Sequence, residues 1–164
     1  MNGNGFLPGF VAGILLFSLL SLFFLPVYSA QIVESPGAEG KILSLINSAQ
    51  DSIYIEVYLL SSREVVDALV SARQRGVDVR VILEQRISGD ANPNSYTSLQ
   101  AGGAEVCWAP THYKLMHSKL MIIDGRTAIV GSHNLSNAAL RDNREHSLLV
   151  EGNLVSYLEK SFMD

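Results

Sequence analysis

The sequence predicts an α/β domain, a mixed β-sheet flanked by helices and preceded by an apolar N-terminal segment. Three observations predict it. Strand-like alternation and helix-like apolar spacing succeed one another through residues 38–108. An apolar fraction of 48% in 164 residues supplies one buried core. The first thirty residues carry no charged side chain, which sets them apart from everything that follows.

Residues 6–28 are dominated by Leu, Phe, Val and Ile, and a terminal run that is apolar all round is expected to be a signal peptide or a membrane anchor. Ser29 and Ala30 suit a cleavage site, whereas the basic residues that usually precede a signal's apolar run are missing, so both readings stand. The expected division is therefore 1–30 for this segment and 31–164 for the folded domain. An exported or membrane-anchored protein with its domain outside the cytoplasm follows from the likeness to a signal peptide.

Ile42, Leu43, Leu45 and Ile46 predict a helix over residues 38–50, and residues 52–60 read as a β-rich run. Ser61 and Glu64 have the spacing of a capping box, before a helix whose apolar face is Val65, Val66, Leu69 and Val70. Gly76, after Arg73 and Arg75, is its expected stop. Val77, Val79, Val81 and Leu83 share one face of a strand over 77–84, which completes a βαβ unit. A Gly/Asn/Pro loop over 88–93, a short helix over 94–101 ended by Gly102 and Gly103, and a strand over 104–108 follow.

A formal net charge of -4 argues against holding nucleic acid by bulk electrostatics, so any anion must be bound by a local patch. Cys107 is the only cysteine and is expected to be a small core residue rather than a nucleophile. It rules out an internal disulfide or a multi-cysteine zinc site. Since no carboxylate cluster or His/Cys pair has ligand spacing, neither a metal nor another cofactor is expected.

Residues 117–125 read HSKLMIIDG and residues 131–136 read GSHNLS. The pattern resembles the HxKxxxxD signature of the phospholipase D superfamily, with His117, Lys119 and Asp124 in register and the downstream G-S-x-N as Gly131, Ser132 and Asn134. His112 and Lys114 repeat the HxK spacing without the aspartate. With Tyr113 they either line a cleft mouth or form a solvated edge. His133 and His146 hold no motif position and are expected to be incidental.

A strand over 115–123 would project His117 and Lys119 from one face. A neutral imidazole can attack phosphorus while an adjacent ammonium offsets the phosphate charge. Asp124 has the opposite parity and, with Gly125, reads as a hairpin turn, which gives it a supporting role. Ser132 and Asn134 sit in a loop after the next strand, where hydroxyl and amide can donate to phosphate oxygens.

The resemblance implies a phospholipase D-like catalytic domain over 31–164, acting as a metal-independent phosphodiesterase. Catalytic roles fall by resemblance on His117, Lys119 and Glu145, the last orienting a catalytic histidine. Larger members of the superfamily carry two such motifs, and this sequence resembles the short single-motif bacterial endonucleases, so a homodimer with one histidine from each subunit is expected. The implied substrate is DNA or RNA, cleaved through a phosphohistidine. A phospholipid, cardiolipin among them, is the alternative, favoured by membrane attachment through residues 6–28 if that segment is uncleaved. A third reading is a catalytically inactive module that binds nucleic acid or lipid.

Overall fold

The computed structural model describes residues 29–164; the leader over residues 6–28 lies outside the described residues. The described chain forms β1 (Ser29–Ser35), α1 (Ala38–Ser48), β2 (Ser52–Val57), α2 (Arg63–Gln74), β3 (Asp78–Leu83), α3 (Ala91–Ala101), β4 (Glu105–Trp108), β5 (Lys119–Ile123), β6 (Thr127–Gly131), a π-helical turn (Ala138–Asp142), β7 (Glu145–Glu151) and α4 (Leu154–Met163). The seven strands make one sheet in the order β1-β7-β6-β5-β2-β3-β4. β2, β3 and β4 run parallel to one another and the remaining neighbours are antiparallel. The expected mixed sheet flanked by helices is what forms.

Helices α1, α2 and α3 cover one face of the sheet. Ile42, Ile46, Val65, Leu69 and Leu99 pack there on Ile53, Ile55, Val79, Val81, Leu83 and Leu149, all buried. Alternation along β2 sends Tyr54 to the other face, where it joins Leu120, Ile122, Ala128 and Val150 beneath Val155 and Phe162 of α4. The rings of Tyr54 and Phe162 stack at 5.3 Å. Because α4 spans only part of this face, Ile32, Leu148 and Val130 remain 70%, 47% and 36% exposed. They form a row in register, since Leu148 pairs with Ile32 on one side and Val130 on the other. Among the described residues no helix is long and apolar enough to cross a membrane.

Several local expectations shift by a few residues, each for a physical reason. β1, which the sequence did not announce, is an edge strand that runs from Ser29, the first described residue, opposite Glu151, to Ser35 opposite Glu145. The cap of α2 is Ser62 rather than Ser61: its Oγ accepts the N–H of Val65 at 3.3 Å. Ser61 cannot take that place because its N–H and that of Ser62 both donate to the carbonyl of Leu135, which keeps the chain extended one residue further. α3 begins at Ala91, so Pro93 lies in its first turn, where the missing N–H costs nothing. Cys107, expected in the core, is exposed on the edge strand β4. Local burial beside Phe162 and Met163, together with Glu105, pushes its thiol pKa up, which keeps it a poor nucleophile.

The β5 strand is shorter than expected. It begins at Lys119, so His117 and Ser118 precede it in the irregular segment 109–118. One further bond, Tyr58 N–H to the Ser118 carbonyl at 3.0 Å, carries the β2–β5 contact past the last ladder pair.

Candidate active site

The candidate residues gather at one end of the sheet, where β2 and β6 finish and β5 and β7 start. Val57, the last residue of β2, is paired with Lys119, and Gly131, the last of β6, lies opposite Ser147. Gly131 permits this approach. A Cβ there would meet Ser147 Oγ and lie 2.6 Å from the His146 carbonyl. The close approach seats Ser132 on β7, where its Oγ donates to Glu145 Oε2 at 2.5 Å and its N–H to the His146 carbonyl at 3.0 Å.

His117 is exposed, and its ring leans on Tyr58 at 4.7 Å between centroids and 56° between planes. The Lys119 ammonium lies 5.3 Å from the same Tyr58 ring and donates to the His117 carbonyl at 2.9 Å. Tyr58 thus touches both members of the pair, although its place at the end of an apolar run gave no sign of it. Burial lowers the pKa of Lys119, with the Glu145 charge opposing. The Ser132 hydroxyl, then Asn143 and the charge of Lys119, outweigh burial to hold Glu145 below the usual carboxylate range. Glu145 is therefore an anion that shares its end of the sheet with the Lys119 cation.

Glu145 hydrogen-bonds Ser132 and Asn143, the latter at 3.2 Å, and not the His117 of its own chain. Asn134 is half-buried, and its Oδ1 is enclosed without a hydrogen-bond partner. A half-turn of the amide would present its NH2 at that position, the arrangement an anion would favour.

Asp124 stands apart from these residues. It follows β5 at the opposite end, where it and Gly125 adopt φ values of 53° and 60° and Arg126 N–H closes the turn on Ile123 O at 3.0 Å. Its carboxylate accepts the N–H groups of Gln50, Asp51 and Ser52. Its carboxylate thus ties the β5–β6 turn to the start of β2.

His133 is 3% exposed. Its Nε2 lies 2.9 Å from Ser35 Oγ and its Nδ1 2.7 Å from Ser147 Oγ. Ser35 already donates to the Leu140 carbonyl, which makes His133 Nε2–H the donor to Ser35 and Nδ1 the acceptor from Ser147. His133 is thus a neutral ring that ties β1 to β7 behind the site. His146 is exposed, 3.7 Å from Glu34.

Sequence reasoning missed the polar residues beneath the site. Asn92 is fully buried; it donates to the carbonyls of Tyr58 and Glu84 and accepts the Leu60 N–H. Glu84 is also fully buried, and Arg86 forks onto both of its oxygens. Among the described residues no group of three His, Cys, Asp or Glu side chains is placed to hold a metal ion.

Residues 42–164 match the family model described as cardiolipin synthase, PLD-like domain. A phospholipase D of Rickettsia prowazekii is 32% identical over 128 residues, 77% of this chain and 62% of the relative. A cardiolipin synthase of Listeria welshimeri is 28% identical over 83% of this chain and 30% of its own length. The chain thus spans only about 62% of the curated phospholipase D it matches. The crystal structure of the phospholipase D family member Nuc from Salmonella typhimurium superposes with a TM-score of 0.77 at 28% identity, covering 84% of this chain and 93% of that one. The fold, the match over 42–164 and the HxK pair at the strand end lead to one assignment: the chain belongs to the PLD-like domain family of the phospholipase D superfamily.

Proposed function

We propose that this chain is one subunit of a metal-independent phosphodiesterase that hydrolyses DNA, with His117 as nucleophile. The observation that carries the reading is the exposed His117 ring on Tyr58 beside the Lys119 ammonium, at the strand end that also holds Ser132 and Glu145. A ring nitrogen of His117 attacks phosphorus, the bond to the leaving oxygen breaks, and a second imidazole protonates that oxygen. Water then attacks the phosphohistidine, giving its proton to the second imidazole as the N–P bond breaks. Lys119 offsets the charge on the phosphoryl oxygens; Asn134 donates to them once its amide has turned, and Ser132 once its hydroxyl leaves Glu145.

His117 cannot stand on both sides of the phosphorus, so a second copy supplies the other imidazole. Glu145, unbonded to its own His117, is free to orient the partner's. The exposed row Ile32, Leu148 and Val130 supports a contact between copies. Coverage supports the nuclease reading over the lipid one, because the chain spans 93% of Nuc but 30% of the cardiolipin synthase. Cleavage of phospholipid diesters is the second reading, favoured by the 32% identity to a phospholipase D. The uncharged apolar run over 6–28 supports export or membrane attachment under either.

The test is incubation of the full chain in mild detergent with plasmid DNA and with cardiolipin vesicles, beside His117→Ala and with chelator present. Cleavage of plasmid by the wild type alone, undiminished by chelator, is the expected result. Cleavage of cardiolipin alone selects the second reading. Activity lost in chelator and restored by magnesium or zinc removes the metal-independent route.

A further inference from the structure

We infer that Glu84 and Arg86 are positioning residues for His117, a clamp rooted in the buried Glu84 carboxylate that fixes the backbone of residues 113–116 and through it the aim of the imidazole. The inference rests on the role of His117 proposed above.

Glu84 directly follows β3, and its side chain is fully buried. Its Oε1 accepts the N–H of Arg86 at 2.8 Å and Arg86 Nε at 2.6 Å, while Oε2 accepts Arg86 Nη2 at 2.7 Å and the Met116 N–H at 2.7 Å. Arg86 Nη1 donates onward to the carbonyls of Tyr113 at 2.6 Å and Lys114 at 3.1 Å. The segment 109–118 has no strand or helix to hold it, yet this pair grips three of its residues, the last being Met116, immediately before His117. Asn92 ties the same carboxylate-bearing residue to the other support of the ring. It bonds the Glu84 carbonyl at 2.7 Å and the Tyr58 carbonyl at 2.8 Å, and Tyr58 is the residue on which His117 leans.

Stability alone is a poor account of this arrangement: Glu84 is fully buried while Arg86 reaches solvent, and a carboxylate taken out of water is often matched or bettered by an apolar side chain of the same volume. What apolar side chains cannot do is fix three backbone groups of an irregular segment in one geometry. A misplacement of about 1 Å at a nucleophile costs on the order of 100-fold in rate. An irregular loop that carries a nucleophile therefore has a use for such a clamp.

The experiment uses the full chain carrying Glu84→Gln and, separately, Arg86→Lys. Gln replaces one acceptor oxygen with a donor, so either Met116 or Arg86 loses its partner; Lys keeps the charge and loses the fork. Turnover of bis(p-nitrophenyl) phosphate, thermal unfolding and exchange of the Met116 amide are measured together. We expect kcat to fall roughly 10- to 100-fold with KM almost unchanged, faster Met116 exchange and a folded protein, with Arg86→Lys between Glu84→Gln and the wild type. Faster exchange at an unchanged kcat overturns the inference while leaving the role of His117 intact. Should Glu84→Gln not fold, Arg86→Lys decides by the same two readouts. Wild-type turnover by His117→Ala overturns both the underlying site and the inference.

Discussion

Asp124 Oδ1 accepts the backbone N–H of Asp51 at 2.7 Å, at the end of β5 away from His117. Burial by itself raises the pKa of the carboxyl, but the N–H donors of Ser52, Asp51 and Gln50 outweigh it and hold the group below the usual aspartate range. Asp124→Ala is expected to cost about 1–3 kcal/mol of stability, as orphaned N–H groups at a charged acceptor do. The folded variant should keep wild-type kcat. Chemical denaturation and turnover on one preparation check it. Because the folded pKa is the lower one, this stability is present above the unfolded pKa and is lost as pH falls through the folded value.

Lys119 gives a signature on the alkaline side. Burial lowers its pKa, so the ammonium proposed to face the phosphate is lost at a lower pH than in a free lysine. The pH profile of kcat/KM should fall at a pH below the ordinary lysine value of 10.5, and Lys119→Arg should remove that limb. Lys119→Met should lower kcat by about 100- to 1,000-fold, the usual cost of losing one charge-stabilising donor.

Leu148 lies at the centre of the exposed apolar row on the α4 face. If two copies share the cleft as proposed, Leu148→Glu is expected to shift dimer to monomer in sedimentation and to lower activity with it, since the side chain makes no hydrogen bond to the site residues. A covalent dimer of one wild-type and one His117→Ala subunit supplies the complementary result: full activity there excludes a shared cleft.

His133 should make the fold sensitive to mild acid. Burial lowers the pKa of its ring, with the Glu145 charge opposing. Its folded pKa is therefore below the unfolded one, so the stability it confers is present above about pH 6.5 and declines as pH falls through the folded value. Protonation would place a second N–H on Nδ1, in conflict with the Ser147 hydroxyl that donates to it. Thermal unfolding of wild type and His133→Gln from pH 7.5 to 5 should show the steeper loss in the wild type.

Much of the frame was legible because it is written in apolar periodicity. Val77, Val79, Val81 and Leu83 are all buried on one face, and Gly76, with φ 97°, ends the helix as its position implied. The Asp124-Gly125 turn was legible from its residue types, and it lies at the end of β5 away from His117 and Lys119. What stayed hidden obeys no period. Glu84 and Asn92 are polar residues that hydropathy places outside, and their burial depends on partners 32 residues away in sequence, Met116 and Leu60. β1 was unreadable for a different reason: only Val33 and Ser35 of its side chains are buried, so it has too little alternation to announce a strand. His133 fills no motif role, yet its ring is held by serines from two strands, a contact that local sequence does not encode.

The direction of β1 fixes which end of the sheet the chain enters first. Its path from beside Glu151 to beside Glu145 covers about 20 Å of sheet, so the polypeptide enters the fold at the pole remote from His117. An attachment through a leader before Ser29 would therefore pull on that pole, with the His117 end of the sheet turned away from it.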